Sequence, residues 1–201
     1  ELNGAGPDIS ESAMQALEEK LDRLQKGDIL ILAGSIPASL AQTTYERILA
    51  RLEGRDIRAV VDATRDLLVN VLRYKPFLIK PNNHELSEIA GVKLTNDNEI
   101  VTAARMMQAK GARNVLVSMA GDGALLLDEQ GGVHRIGCPK GKVVNSVGAG
   151  DSMVAGFVAG YQQSGGDYAA ALKLGTACGS ATAFSLGLAT KADIDKLLKT
   201  M

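Results

Sequence analysis

The stretch Asn145-Ser146-Val147-Gly148-Ala149-Gly150-Asp151-Ser152 decides how the rest of the chain is read. A short apolar pattern before it, Lys142-Val143-Val144, predicts a strand. After it, Met153, Val154, Phe157, Val158 and Tyr161 predict a long apolar helix. Glycine at 148 and 150 lets the chain turn tightly and lets backbone approach a bulky anion. The first amides of the new helix have no intrahelical partner and lie at the positive end of its dipole, which favours phosphate. Asp151 is out of character there, because a carboxylate repels phosphate. It has two readings. One is a helix N-cap, a role aspartate fills well. The other is a base that accepts the proton of a hydroxyl attacking the phosphate, beside amides that hold the phosphoryl charge. Alone, Asp151 favours the cap; with both glycines, the strand and the apolar helix, it favours phosphoryl transfer.

Around this stretch, 201 residues suffice for one sizeable core, and a single domain over 1–201 is expected. The composition is that of an α/β protein: 46% hydrophobic, 22% charged, 22 glycines and no tryptophan. A formal net charge of −1 gives no footprint for nucleic acid or an anionic membrane, so neither is expected as a partner. No apolar run approaches a transmembrane helix and no secretory signal opens the chain, so a cytoplasmic location is expected. Cys138 and Cys178 form no CxxC pair and are read as reduced, packing thiols. The sequence contains neither GxxxxGK[ST] nor GxGxxG, which argues against a P-loop NTPase and a dinucleotide-binding Rossmann domain.

Upstream, residues 2–7 are turn-rich and read as a loop. Ser10 caps a predicted helix with Met14, Leu17, Leu21 and Leu24 on one face, ended by Gly27. Asp28–Ala33 reads as a buried parallel strand, and Gly34-Ser35-Ile36-Pro37 lies at its C-terminal end, where open α/β sheets bind ligands. Helix over 43–52, strand over 57–61 and strand over 77–79 follow, with Asp62 read as a helix cap. Pro81 opens a loop, and His84-Glu85-Leu86 begins a helix. Asn82 and Glu85 at one helix start suit either a hydrated Mg²⁺, which needs few protein ligands, or merely an acidic first turn. Asn96 or Asp97 caps a helix through Ile100 and Met107, which leads to strands over 113–119 and 124–128, joined by Ala120-Gly121-Asp122-Gly123, an Asp-Gly hairpin signal. Val133–Ile136 returns as a further strand. Beyond the central stretch, Asp167 caps a helix of small residues suited to close packing, and residues 192–198 form a last helix. Strands alternating with helices predict a mainly parallel sheet covered on both faces, with an antiparallel edge.

Four stretches together resemble the ribokinase-like sugar kinases, the phosphofructokinase-B family. They are Ala33-Gly34-Ser35-Ile36-Pro37, Lys80-Pro81-Asn82-Asn83-His84-Glu85-Leu86, Val117-Ser118-Met119-Ala120-Gly121-Asp122-Gly123-Ala124 and Gly150-Asp151-Ser152-Met153-Val154-Ala155-Gly156, in family order. The resemblance implies a ribokinase-like three-layer α/β/α fold without the N-terminal strands and lid. By it, about the first third of a longer kinase is absent, including a substrate-binding aspartate. It implies ATP and Mg²⁺ as cofactors, and transfer of the γ-phosphoryl to the 6-hydroxyl of fructose 1-phosphate to give fructose 1,6-bisphosphate. The alternatives are a tagatose 6-phosphate kinase and a catalytically inactive ATP- or ADP-binding fragment. Asp151 is then the base, with the backbone of Gly148, Ala149 and Gly150 stabilising the phosphoryl group. Ser118, Met119, Ala120, Gly121, Asp122 and Gly123, together with Gly150 and Asp151, approach ATP, and Asn82 and Glu85 hold Mg²⁺. Gly179 to Thr182 line the adenine pocket, and the loop from Gly34 lies near the sugar. Members often form homodimers, partly through the lid. Asn145 stands where many relatives carry an aspartate, in some at a monovalent-cation site, and the missing charge argues against K⁺ dependence.

Overall fold

The computed structural model describes residues 6–201, so residues 2–5 of the expected leading loop lie outside the described residues. Six strands form one sheet in chain order: β1 (Ile29–Ala33), β2 (Arg58–Asp62), β3 (Leu78–Ile79), β4 (Asn114–Ser118), β5 (Ala124–Leu127) and β6 (Val133–Ile136). β1 to β4 are parallel; β5 and β6 are antiparallel to their predecessors. The mainly parallel sheet with an antiparallel edge is as expected from the sequence.

Strand alternation divides the core in two. Val61, Ile79, Val115 and Val117 point to one face, where α2 (Thr44–Leu52), α3 (Arg65–Val71), α4 (Asn83–Ala90) and α5 (Asp97–Ala109) cover them. Val60, Leu78 and Leu116 point to the other, against α6 (Ala149–Gln163) and α7 (Tyr168–Ala183). Apolar burial on both faces is what holds a parallel sheet. α1 (Glu11–Leu21) contributes Leu21 to the first core, and α8 (Lys191–Leu198) packs on α7.

The small residues of α6 and α7 serve packing, as the composition of the second helix suggested. A Cβ on Gly160 would meet Ala171 Cα at 2.9 Å, and one on Gly175 would meet the Met153 carbonyl oxygen at 2.9 Å. The expected caps form: Ser10 accepts from Ala13 N, Asn96 from Glu99 N, and Asp167 from Ala169 N and Ala170 N.

Three expectations are corrected. Lys142-Val143-Val144 is no strand. Val143 and Val144 are exposed, and the amides of Val144 and Asn145 both donate to the Ala183 carbonyl, at 2.8 and 3.1 Å. Ala183 ends α7, so its carbonyl lacks an intrahelical donor and captures this segment. β1 is not buried along its length, because among the described residues it pairs with β2 alone, and Ile31 is 42% exposed. α1 stops at Leu21 rather than running through Leu24, and Leu17 stays exposed.

Candidate active site

The site lies beyond the C-terminal ends of β2, β3 and β4, where the sheet gives way to three glycine- or proline-bearing turns. α6 begins at Gly148, which sits in the left-handed region at φ +78° and is the N-cap. Asp151 is therefore in the first turn and does not cap the helix; the cap reading of this residue is excluded. Its carboxylate is exposed and makes no hydrogen bond or ion pair among the described residues. The amides of Gly148, Gly150 and Asp151 have no partner among the described residues. The Ala149 amide departs from expectation. It donates to Ser146 O at 3.1 Å and is not free to hold an anion.

The two glycines serve different ends. Gly148 is required by its backbone conformation, whereas at Gly150 a side chain would only crowd its neighbours: a Cβ there would lie 3.2 Å from Lys80 Nζ, the end of a flexible side chain, and 3.9 Å from Asp62 Oδ2. Lys80 follows β3 and Asp62 ends β2, and their side chains form an ion pair of 3.1 Å, Nζ to Oδ1, almost wholly shielded from solvent. Asp62 is thus no helix cap; the residue at the start of α3 is Thr64. Burial pushes the Asp62 carboxyl above its usual range, the Lys80 ammonium pulls it down, and the charges of Asp151 and Glu85 add to the rise.

Asn82 caps α4, its Oδ1 accepting from His84 N and Glu85 N at 2.9 and 2.8 Å, while Glu85 Oε2 accepts from Asn82 N at 2.8 Å. This capping box occupies the oxygen that Asn82 would give to a metal. Glu85 keeps Oε1 without a partner among the described residues. No cluster of three or more His, Cys, Asp or Glu side chains suited to a metal occurs among them. The donors therefore fit an ion held mostly through its own waters, near Glu85 and the Asp62 and Asp151 charges, as Mg²⁺ prefers. His84 is exposed, as expected.

The loop from β4 to β5 is a one-turn 3₁₀ helix, Ala120–Asp122, closed by Met119 N donating to Gly123 O at 2.8 Å. Gly123 is at φ +90°, and a Cβ on it would lie 2.1 Å from Ile136 O, so only glycine fits. Ser118, Ala120, Gly121 and Gly123 line a cleft of about 520 Å³, shared with Lys80, Asn82, Ala149 and Gly150. Met119, Asp122 and Asp151, expected to approach the nucleotide, do not line it; Asp151 is exposed in the first turn of α6. Met119 belongs to the core, 5% exposed, and the Asp122 carbonyl accepts from Arg135 Nη1. Gly179 and Ser180 of α7 form the far wall with Thr176, whose buried Oγ1 has no hydrogen-bond partner among the described residues. Asn145 accepts from Val147 N and donates from Nδ2 to Leu186 O, fixing the approach to the turn.

Sequence reasoning missed Lys80, Asp62 and Thr176 as site residues. A readable signal existed for the first two: opposite charges directly follow or end adjacent buried strands, paired Val61 to Ile79.

Residues 1–195 match the pfkB family carbohydrate kinases, and the chain belongs to that family. Over 198 residues it is 46% identical to the 1-phosphofructokinase of Bacillus subtilis, covering 98% of this chain and 65% of that one. A D-tagatose-1-phosphate kinase of Bacillus licheniformis is 37% identical over 196 residues, covering 97% of this chain and 63% of the relative. The crystal structure of phosphofructokinase-2 from Escherichia coli with substrates and products superposes with a TM-score of 0.88 at 27% identity, over 96% of this chain and 63% of that chain. The fold is ribokinase-like, and the chain spans less than two thirds of these relatives.

Proposed function

We propose that the protein carrying this chain is an ATP-dependent sugar-phosphate kinase, and that residues 1–201 act in it as one nucleotide-binding α/β unit. The observation that carries this reading is the meeting of three turns at one cleft. Ala120, Gly121 and Gly123 line it with Asn82 and with Gly150, whose amide is unpaired, and the uncommitted carboxylate of Asp151 follows Gly150 in the first turn of α6. Ser118, Ala120, Gly121 and Gly123 take the nucleotide along the cleft. The amides of Gly150 and Asp151 face the transferring phosphoryl group and stabilise the charge that spreads over its oxygens. Asp151 accepts the proton of the attacking hydroxyl as the oxygen–phosphorus bond forms and the bond to ADP breaks. Mg²⁺, when bound near Glu85, supplies positive charge to the nucleotide phosphates.

Fructose 1-phosphate is the acceptor we assign, on the identity with the Bacillus subtilis 1-phosphofructokinase. A tagatose phosphate is the second reading, favoured by the Bacillus licheniformis relative, whose name specifies the 1-phosphate rather than the 6-phosphate. The test is ADP release by the full-length protein with fructose 1-phosphate, tagatose 1-phosphate and tagatose 6-phosphate. The highest kcat/KM is expected with fructose 1-phosphate. Higher kcat/KM with a tagatose phosphate changes the acceptor, and release with none of the three removes the kinase reading.

A further inference from the structure

Cys138 holds a place to which the kinase reading gives no task. It follows β6 in the segment Cys138-Pro139-Lys140-Gly141-Lys142, and it lines the same cleft as Gly121, Gly123 and Ser180. Its backbone is set against one wall, where a Cβ on Gly123 would meet Cys138 N at 2.7 Å. Its half-buried Sγ lies 3.6 Å from Ser180 Oγ on the opposite wall. The segment is seated a second time at Gly141, where a Cβ would come within 2.2 Å of the ring of Phe184, another lining residue. A group added to Sγ therefore has little room to swing away with its loop; it enters the cleft or parts the walls. A separate observation marks this space as one for a polar guest. Thr176 is 1% exposed and lines the cleft, and its Oγ1 lacks the hydrogen-bond partner, among the described residues, that a ligand would supply.

Building on the nucleotide-binding reading, we propose that Cys138 is a thiol-modification site whose adduct closes the nucleotide cleft, and that its reagent is a small disulfide carrying carboxylates. The reaction is thiol–disulfide exchange. The Cys138 thiol gives its proton to water, its sulfur attacks one sulfur of the reagent, and the reagent's S–S bond breaks. Cys138 is oxidised to a mixed disulfide, while the departing half is reduced and takes up a proton as a free thiol. Lys140 and Lys142 on the same segment are exposed and in no ion pair among the described residues, and their charge draws an anionic reagent to this thiol. Nucleotide and adduct compete for one space, so each disfavours the other by the same factor. Cys178, on α7, is buried and shielded from the reagent.

The experiment uses the full-length protein, its Cys138→Ser and Cys178→Ala variants, and oxidised glutathione as the probe. Each protein is titrated calorimetrically with ADP before and after treatment. Mass spectrometry locates the adduct, and circular dichroism follows the fold. The expected result is a mixed disulfide at Cys138 and none at Cys178, with ADP affinity lowered about tenfold or more, an unchanged dichroism spectrum, and recovery on reduction with dithiothreitol. Cys178→Ala should respond like wild type, whereas Cys138→Ser, compared with its own untreated form, should not respond. ADP present during treatment should slow formation of the adduct. The proposal is overturned if Cys138 does not react, if its adduct leaves ADP affinity unchanged, or if affinity is lost only together with the fold. Wild type that binds ADP equally well before and after modification fails the proposal and keeps the nucleotide reading. Untreated wild type that binds no ADP fails both. ADP binding that responds to modification, in a protein that phosphorylates no sugar phosphate, refutes the kinase reading alone.

Discussion

Asn82 and Glu85 cap each other: the Asn82 amide donates to Glu85 Oε2, and the Glu85 amide donates to Asn82 Oδ1, each at 2.8 Å. The motif assigned to metal is thus also a helix start, and one substitution separates the two roles. Glu85→Gln keeps an oxygen acceptor for the Asn82 amide and removes the charge. Its stability is expected to stay within about 0.5 kcal/mol of wild type, while the Mg²⁺ concentration for half-maximal activity of the full-length protein rises. Asn82→Ala loses the cap and costs about 1 kcal/mol. Urea denaturation and Mg²⁺ titration check both. A Gln variant as unstable as Asn82→Ala, with unchanged Mg²⁺ dependence, leaves Glu85 a cap and nothing more.

Gly148 and Gly150 respond differently to alanine. At 148 the left-handed backbone costs an L-residue roughly 1–2 kcal/mol, and the new methyl also meets Leu188 Cδ2 at 2.9 Å. At 150 the obstacle is the end of the flexible Lys80 side chain, which can shift. Gly150→Ala is expected to fold with a loss below about 1 kcal/mol, and to lose affinity for a non-hydrolysable ATP analogue. Comparable melting points in the two variants would remove the distinction between backbone and space.

The sheet and its covering helices were legible because the buried strands are short apolar runs and three helices start at caps written in the sequence: Ser10, Asn96 and Asp167 all bond as the sequence predicts. The turns around Gly123 and Gly148 were legible because their glycines have no substitute. Val143 and Val144 misled, because two valines read as a strand but say nothing of an available edge; the Ala183 carbonyl took their segment instead. Asp62 read as a cap because its partner Lys80 is eighteen positions away, and only strand register brings the two together. The capping box hid in the same letters as the metal motif. Thr176 was lost among small residues, where a buried hydroxyl without a partner has no sequence signature.

Acid stability has a local origin in the β5–β6 hairpin. The Asp128 carboxylate is buried, 4% exposed, and accepts from Gln130 N and Gly132 N at 2.8 Å, with His134 Nε2 2.7 Å from Oδ2. Burial raises its carboxyl, but these hydrogen bonds together outweigh burial and hold it below the usual range. The folded value therefore lies under the unfolded one. Its stabilisation is complete above about pH 4, the ordinary aspartate value, and is lost as pH falls through the depressed folded value. Asp128→Asn should cost about 1–3 kcal/mol at pH 6 and fall less steeply than wild type between pH 5 and 3. Urea melts at both ends of that range decide it. Parallel curves assign the acid sensitivity to other carboxylates.

Asp151 offers the sharpest test of the chemistry, because its only structural contribution is a carboxylate charge at the positive end of the α6 dipole. It caps nothing, pairs with no cation among the described residues, and is exposed in the first turn of α6 beside two unpaired amides. Asparagine has the same shape and costs the fold only the carboxylate's attraction to the helix dipole, so Asp151→Asn should lower stability by no more than about 1 kcal/mol. What it loses is the capacity to accept a proton. In the full-length protein, turnover is expected to fall on the order of 10²-fold or more, with nucleotide affinity kept or improved because a negative charge beside the phosphate is gone. The split between turnover and binding is the informative quantity, measured by ADP release and by calorimetric titration of the ATP analogue. A variant with near-normal turnover removes Asp151 from the role of base. A variant that loses binding as much as turnover makes it part of the nucleotide site instead.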